Sequence, residues 1–452
     1  MPSGVKRWPL LVGLGCAALS GCSAESLPEG ELALTSGQES DVWSLEPAVE
    51  RVEVTKILSD GRRQPRSELS APVTRLSLGR ADPGAFELRG FAGDGSLAVG
   101  GRTLPLDPAG LAGLELPLCI SRANHFARPP GQLASAQPER PPAVVIGGRH
   151  LLLLGGRRGD LVEPAGYDLG LWKPHPAAAA IGCPAPPCRF ESVALAPPSR
   201  VLAIAADWAI WFDADALTSG TVPLPAGLAS FAEVSGGRTV VAPSGEAYVV
   251  GGSRAQGEPT TAVLELRPDG SVVARHLAVA RRGAAAGWIP GRGLVVVGGS
   301  AEGAGAELLP EGAEAFTPLP YAPDETTGAA LAPDGTARAL RLGGRQPDGA
   351  FAASVVVDLG CGAECALTEA GAPVEFGSAQ AFAAGEQLVV VGDDADGQTR
   401  ALRWAPASVE PLLLREARLG ATALTLPTGH VAIAGGTSPD GQSVGSIELL
   451  FQ

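Results

Sequence analysis

Arginines recur at one position of this sequence, 13 to 17 residues before a repeated pair of glycines or its variant. The position is occupied by Arg140, Arg189, Arg238, Arg282, Thr327, Ser378 and Arg418. A guanidinium presents a planar fork of N–H donors that matches a carboxylate or a phosphate. A ring of these side chains would therefore form an anion site, with Arg189, Arg238, Arg282 and Arg418 as the candidate ligand contacts. The alternative is structural, because each arginine can instead donate to backbone carbonyls and hold neighbouring elements together.

The glycine pairs define a repeat that runs from residue 140 to the end of the chain. An apolar run ends at Gly155-Gly156, Gly251-Gly252, Gly298-Gly299, Gly343-Gly344, Gly392-Asp393 and Gly435-Gly436, and a degenerate copy ends at Ala205-Ala206. From residue 251 onward the steps are 43 to 49 residues, a period typical of propellers and solenoids. Glycine-containing turns separate the apolar runs, as in β-hairpins. The pattern predicts an all-β fold of seven repeats.

The repeat unit resembles the kelch repeat of β-propellers. The likeness rests on the apolar quartet, the glycine pair, the opening arginine, and Tyr167 and Trp172 in the first unit. It implies a seven-bladed kelch-type propeller over residues 116–452, with the first strand of each blade lining a central channel. It also implies that a segment before the first unit, Leu116 to Ala134, supplies the missing outer strand of the last blade.

Residues 45–115 carry short alternating apolar runs separated by Gly, Asp and Pro. This pattern favours a small β-sandwich-like domain in front of the propeller. Gly100-Gly101 could instead mark an eighth repeat. The sequence therefore leaves the number of blades undecided between six, seven and eight.

The N-terminus has the features of a secretory signal. Lys6 and Arg7 precede an apolar run from Trp8 to Leu19, which is shorter than the ~20 residues of a spanning helix. The ending Leu-Ser-Gly-Cys at 19–22 resembles the bacterial lipobox. That resemblance implies a signal peptide over 1–21, cleavage before Cys22, and lipid such as palmitate on its sulfur. An ordinary signal with an incidental cysteine is the alternative.

The lipid anchor implies a location in the cell envelope, on the periplasmic or surface face of the outer membrane. Residues 22–44 are rich in Ser, Glu and Gly and are expected to form a flexible tether. The chain has a net charge of −14 and therefore lacks the excess of basic residues that is typical of nucleic-acid-binding proteins.

The remaining cysteines form two local pairs and one single residue. Cys183 with Cys188 and Cys361 with Cys365 are structural disulfide candidates in an exported protein. No histidine or further cysteine stands beside either pair, which argues against a metal site. Cys119 is left over and is expected to be buried and free.

No catalytic residues, cofactor motif or metal site is predicted. The five histidines fall at different phases of the repeat, and Asp393, Asp394 and Asp396 form only a partial calcium loop, better explained as a solvated turn. The favoured hypothesis is a cell-envelope lipoprotein that presents its propeller as a binding module for an unknown protein or glycan partner. The alternatives are an envelope enzyme that acts on an acidic sugar or similar anion at the channel mouth, and an envelope component with no ligand.

Overall fold

In a computed structural model of the protein, the described residues are 30–451 without 41, 79–82, 112, 139, 159, 176–179, 185–188, 197–198, 214–217, 253–256, 363–364 and 386. The first eight strands form two sheets. They are β1 (Glu31–Thr35), β2 (Arg51–Ile57), β3 (Arg63–Ser70), β4 (Arg75–Ser77), β5 (Ala85–Phe91), β6 (Leu97–Arg102), β7 (Glu115–Cys119) and β8 (Ser121–Arg122). One sheet has the order β4-β1-β7 and the other β3-β2-β5-β6-β8. The described residues also include two 3₁₀ turns, at Pro108–Leu111 and Phe231–Glu233.

The two N-terminal sheets share one apolar core. Strand β2 alternates exposed and buried residues, as expected of a strand covered on one face. Its Val52 and Val54 pack in the same cluster as Leu32 from β1 and Leu118 from β7. The prediction of a tether through residue 44 is therefore wrong from residue 31 onward, because β1 pairs with β4 and β7 and Val42 is buried.

The rest of the chain forms seven further sheets within the described residues, each built from consecutive antiparallel strands. Sheet 1 contains β9 (Ala143–Ile146), β10 (His150–Arg158), β11 (Leu161–Asp168), β12 (Lys173–His175) and β13 (Ile181–Gly182). Sheet 2 contains β14 (Ser192–Ala196), β15 (Arg200–Ile204), β16 (Ala209–Asp213) and β17 (Thr218–Thr221). Sheet 3 contains β18 (Arg238–Val241), β19 (Ala247–Val250), β20 (Thr260–Leu266) and β21 (Val272–Arg281).

Sheets 4 to 7 follow the same plan. Sheet 4 contains β22 (Ala285–Ile289), β23 (Gly293–Val297), β24 (Ala306–Pro310) and β25 (Thr317–Leu319). Sheet 5 contains β26 (Ala330–Asp334), β27 (Arg338–Leu342), β28 (Val355–Asp358) and β29 (Thr368–Glu369). Sheet 6 contains β30 (Gly377–Ala384), β31 (Gln387–Asp393), β32 (Thr399–Ala405) and β33 (Ser408–Leu412). Sheet 7 contains β34 (Thr422–Thr425), β35 (His430–Ala434) and β36 (Ile447–Phe451).

The first strands of these sheets surround a common channel. Residues of β9, β14, β18, β30 and β34 line it, together with Gly283 and Ala284 before β22 and Gly328 before β26. The Thr422 hydroxyl donates to the Pro141 carbonyl at 2.7 Å, which joins the last sheet to the first. Radial sheets around a channel define a β-propeller, so the all-β class and the propeller architecture are confirmed.

The glycine pairs stand where the backbone turns against the next sheet. A Cβ on Gly435 would lie 2.5 Å from Pro141 Cγ, and one on Gly436 would lie 2.6 Å from the Leu419 carbonyl oxygen. Both glycines also have positive φ, 70° and 86°. Larger residues would be excluded by contact and by backbone conformation together, which explains why the pair recurs.

The edge of sheet 7 is covered in part by the segment ahead of the propeller. Ala127 and Leu449 exchange two backbone hydrogen bonds of 2.9 and 2.8 Å, and the Phe451 amide donates to Ser121 Oγ at 2.9 Å. Residues 116–119, expected in this role, instead form most of β7 in an N-terminal sheet. Gly100-Gly101 lie in β6, where a Cβ on Gly100 would strike the Phe451 ring.

Tyr167 and Trp172 are buried in the core of sheet 1, where Tyr167 Oη donates to the Pro130 carbonyl at 2.8 Å. Among the described residues, no helix has the length and apolar character that crossing a membrane requires.

Candidate functional site: the mouth of the central channel

The central channel has a volume of about 680 Å³. Most of its wall is formed by small and apolar residues of the first strands. The charged residues that line it, among those the structure describes, are Arg140, Glu191, Arg238 and Asp393. Glu191 is exposed, and its carboxylate accepts a 2.7 Å bond from Ser235 Oγ. The chemistry of the channel therefore depends on the two arginines and Asp393.

A belt of backbone hydrogen bonds joins consecutive sheets near one mouth of the channel. Gly283 N donates to Gly251 O at 2.9 Å, Gly328 N to Gly283 O at 2.8 Å, and Ala379 N to Gly328 O at 2.7 Å. Gly283 and Gly328 have left-handed φ of 58° and 69°. This conformation suits glycine and is unfavourable for most other residues.

Two residues with side chains occupy the equivalent left-handed position. Arg140, before sheet 1, has φ 45°, and Ser378, in sheet 6, has φ 48°. Such a conformation costs on the order of 1–3 kcal/mol per non-glycine residue and is concentrated at functional sites. The two side chains also meet, because Arg140 Nη1 donates to Ser378 Oγ. The mouth of the channel thus combines strained backbone with a polar cluster.

Asp393 completes this cluster from the end of β31. Its carboxylate forms an ion pair with Arg140 and accepts a 3.3 Å bond from Thr399 Oγ1. Burial raises the pKa of Asp393, although Arg140 and Thr399 both favour its ionised form. Arg140 is the more exposed partner, with 53% of its side chain accessible.

Arg238 crosses the channel from sheet 3. Its Nη2 donates to the carbonyls of Ala329, before sheet 5, and Ala379, in sheet 6, at 2.9 and 2.8 Å. No carboxylate among the described residues pairs with it. Desolvation by the surrounding wall lowers the pKa of Arg238 to about 10. It remains protonated at neutral pH, so it carries a positive charge that no acid in the described part of the chain neutralises.

The other predicted arginines do not join this site. Arg189 is exposed, and Arg282 is exposed with Nη1 donating to Gly257 O at 3.1 Å. Arg418 is fully buried and is ion-paired to Glu448 at 2.7 Å. The structure therefore places Arg238 in the channel and brings none of the other three beside it.

These arginines differ in environment because their positions relative to the first strand of the sheet differ by one or two residues. Arg282 directly precedes the belt glycine Gly283, whereas Arg418 stands two residues before Gly420. The counterpart of Arg418 ahead of sheet 4 is Arg281, the last residue of β21, which is also fully buried. Counting back from the glycine pair, over hairpins of unequal length, cannot resolve this shift.

The sequence did contain a signal for the residues that were missed. Gly-Ala opens three repeats, at 283–284, 328–329 and 420–421. Ser378-Ala379 and Arg140-Pro141 replace this dipeptide in sheets 6 and 1. Glycine suits the backbone conformation at this position better than any other residue. A residue with a side chain there indicates that the side chain itself has a role.

The acidic run at residues 393–396 forms a hairpin turn. Asp394 Oδ1 accepts the amides of Asp396 and Gln398 at 3.0 and 2.9 Å, and Asp394 N donates to Gln398 O. A similar turn closes residues 346–350 and 438–442. No group of three or more His, Cys, Asp or Glu side chains among the described residues could hold a metal ion.

The cysteines are distributed over disulfides and one buried thiol. Cys361 and Cys365 are joined by a disulfide. Cys183 is also disulfide-bonded, while Cys188 and the lipidation candidate Cys22 lie outside the described residues. Cys119 is free and buried, and burial raises the pKa of its thiol to about 12. The expectation that this cysteine is buried and free is confirmed.

Comparison with known proteins gives only distant structural similarity. No family model and no curated protein matches it. Among solved structures, an oligogalacturonate lyase in complex with manganese is 11% identical, with a TM-score of 0.44 over 72% of this chain and 93% of that one. Regucalcin, a calcium-binding protein from Agrobacterium tumefaciens, is 9% identical, with a TM-score of 0.37 over 71% and 95%. TolB from Acinetobacter baumannii is 12% identical, with a TM-score of 0.32 over 73% and 79%. Similarity this low does not indicate what the chain binds.

Proposed function

We propose that this protein is a cell-envelope lipoprotein, anchored through lipid on Cys22, whose seven-bladed kelch-like propeller is a binding module for a protein or glycan. One observation carries the binding role: Arg140 and Ser378 hold left-handed φ at the channel mouth, where three other repeats have glycine. Evolution of an unliganded structural ring would favour glycine there, since glycine removes the backbone cost.

The lipoprotein part of the proposal depends on residues 1–22. The basic pair, the short apolar run and the Leu-Ser-Gly-Cys ending support export, cleavage and lipidation. In the Cys22→Ser variant, we expect loss of incorporated palmitate and release of the protein from the membrane fraction. A variant that remains with the membrane at unchanged salt would refute the lipid anchor.

The binding role is tested with the full chain carrying Cys22→Ser. Its binding to envelope polysaccharides and to isolated envelope proteins is measured alone and with Arg140→Gly. Arg140→Gly keeps the left-handed backbone and removes the guanidinium, so binding should fall while the propeller stays folded. The matched control is Arg62→Ala, which removes an arginine 75% exposed in the N-terminal sheets. Equal binding by both variants would refute a site at the channel mouth.

The second candidate function is an envelope enzyme that acts on an acidic sugar. The observation that favours it is Asp393, a carboxyl with a raised pKa at the channel mouth beside Arg140. A carboxyl of this kind can exchange a proton with a bound substrate. Incubation with acidic envelope polysaccharides should then release new chain ends, and Asp393→Asn should abolish that release. Binding without any change in the polysaccharide would exclude this candidate.

A further inference from the structure

We infer that the channel mouth binds a carboxylate group of its ligand between the guanidiniums of Arg140 and Arg238. This inference rests on the proposed binding function and names the chemical class of the ligand. The evidence is the convergence of the two arginines, the balance of charge at the mouth, and the donors that Arg238 leaves unused.

The two guanidiniums reach neighbouring atoms from different sides of the channel. Arg140 extends from the start of sheet 1 to Ser378 Oγ, and Arg238 extends from sheet 3 to the carbonyl of Ala379. Ser378 and Ala379 are consecutive residues of β30. Two arginines from separate sheets therefore bond to adjacent residues of the channel wall.

The charges at this point do not cancel. Asp393 pairs with Arg140, whereas Arg238 bonds only to carbonyl oxygens. The other acid of the channel, Glu191, is exposed and held by Ser235. Arg238 is half-buried, and an unpaired charge partly shielded from solvent is less favourable than one at the surface. A bound anion would neutralise Arg238 and so would gain more here than at an exposed arginine.

Arg238 also has donors to offer. Both of its protein hydrogen bonds use Nη2. Within the part of the chain that the structure describes, Nε and Nη1 have no hydrogen-bond partner. These two nitrogens lie on different edges of the guanidinium, because each shares an edge only with Nη2, so each offers one separate N–H to an oxygen of a bound anion. The carbonyl bonds fix the side chain across the channel, so little conformational entropy remains to be lost on binding.

The competing explanation is that Arg238 only braces the ring. It is tested on the Cys22→Ser full chain by titration with glucuronate, using glucose as the neutral control and sulfate as a second anion, all at fixed ionic strength. We expect glucuronate to bind and to raise the melting temperature, and glucose to do neither. Arg238→Gln keeps an amide donor and removes the charge, and it should weaken glucuronate binding by about ten- to a hundredfold.

A second measurement does not depend on the folding of a variant. Phenylglyoxal modifies accessible guanidiniums, and peptide mapping follows the modification of Arg238 in the Cys22→Ser protein. Glucuronate should slow the modification of Arg238 and leave Arg62 unaffected. Equal protection by sulfate, or none by glucuronate, would overturn the carboxylate assignment. If an envelope ligand still binds and glucuronate does not compete with it, this inference alone is overturned. The proposed binding function then still stands.

Discussion

Arg418 and Glu448 form an ion pair in which both side chains are fully buried, with 2.7 Å between Nη2 and Oε1. Arg281, the last residue of β21 in sheet 3, and Glu307 of sheet 4 repeat the relationship, at 3.0 Å. In both cases the arginine precedes the first strand of the sheet whose third strand carries the glutamate. Each glutamate also accepts two backbone amides, from residues 415 and 416 or 278 and 279. Each pair therefore ties the chain that leads into a sheet to the third strand of that sheet, and these arginines are not available to a ligand.

Breaking the buried pair in sheet 7 should be costly. Glu448→Gln leaves the buried Arg418 charge with only the more distant Glu416, at 3.8 Å, as counter-ion, so we expect the free energy of unfolding in urea to fall by about 3 kcal/mol. Glu410→Gln is the matched control, since Glu410 is 60% exposed and stands 3.8 Å from Arg403. The free energy of unfolding of Glu410→Gln should fall by no more than about 0.5 kcal/mol. Equal losses in the two variants would show that the buried pair is not specially stabilising.

Ser378→Gly should stabilise the protein. The substitution relieves a left-handed φ of 48°, and we expect a gain of about 1 kcal/mol in the free energy of unfolding. Ser271→Gly is the control: it removes a side-chain hydrogen bond, to Asp269, and adds the entropy of glycine in the unfolded chain without relieving a left-handed φ, so stability should fall. If Ser378→Gly lowers the free energy of unfolding as much as the control does, the left-handed backbone of Ser378 does not destabilise the protein.

His430 should make the protein less stable in acid. Its Nδ1 is 3.0 Å from Thr428 Oγ1, Nε2 has no partner among the described residues, and burial lowers the pKa of its ring to about 3. Between pH 6.5 and pH 3 the unfolded chain binds a proton that the folded protein does not. This residue should therefore remove about 1.4 kcal/mol per pH unit as the pH falls through that range.

The measurement for His430 is urea unfolding at several pH values. His430→Phe should lose this part of the acid sensitivity, whereas His276→Phe, at an exposed position, should retain it. An unchanged pH dependence in His430→Phe would contradict a buried neutral imidazole.

Cys119 should be the single free thiol of the secreted Cys22→Ser protein. In native buffer we expect no alkylation by iodoacetamide, because the thiol is buried and its pKa is raised to about 12. After denaturation without reductant, mass spectrometry should find one alkylated cysteine, and after reduction it should find five. Alkylation of Cys183 or Cys361 before reduction would contradict the disulfides.

Several features could be predicted from the sequence because they follow from local and repeated requirements. A glycine pair is needed wherever a strand ends against the next sheet, as at Gly435 and Gly436, so the spacing of the pairs reveals the repeat and the all-β fold. The tether was predicted too long because β1 has no strong pattern of its own. Its Leu32 is buried only through pairing with strands far away in the chain.

The identity of the site residues was decided by the tertiary structure. Arg281, Arg282 and Arg238 are the same amino acid at nearly the same repeat position. Arg281 is buried in an ion pair, Arg282 lies on the surface, and Arg238 crosses the channel. The sequence alone determines how often an arginine occurs. A shift of one residue changes the face of a strand, and a long side chain can reach a different sheet, so only the packed ring determines which guanidinium is left without an acid beside it.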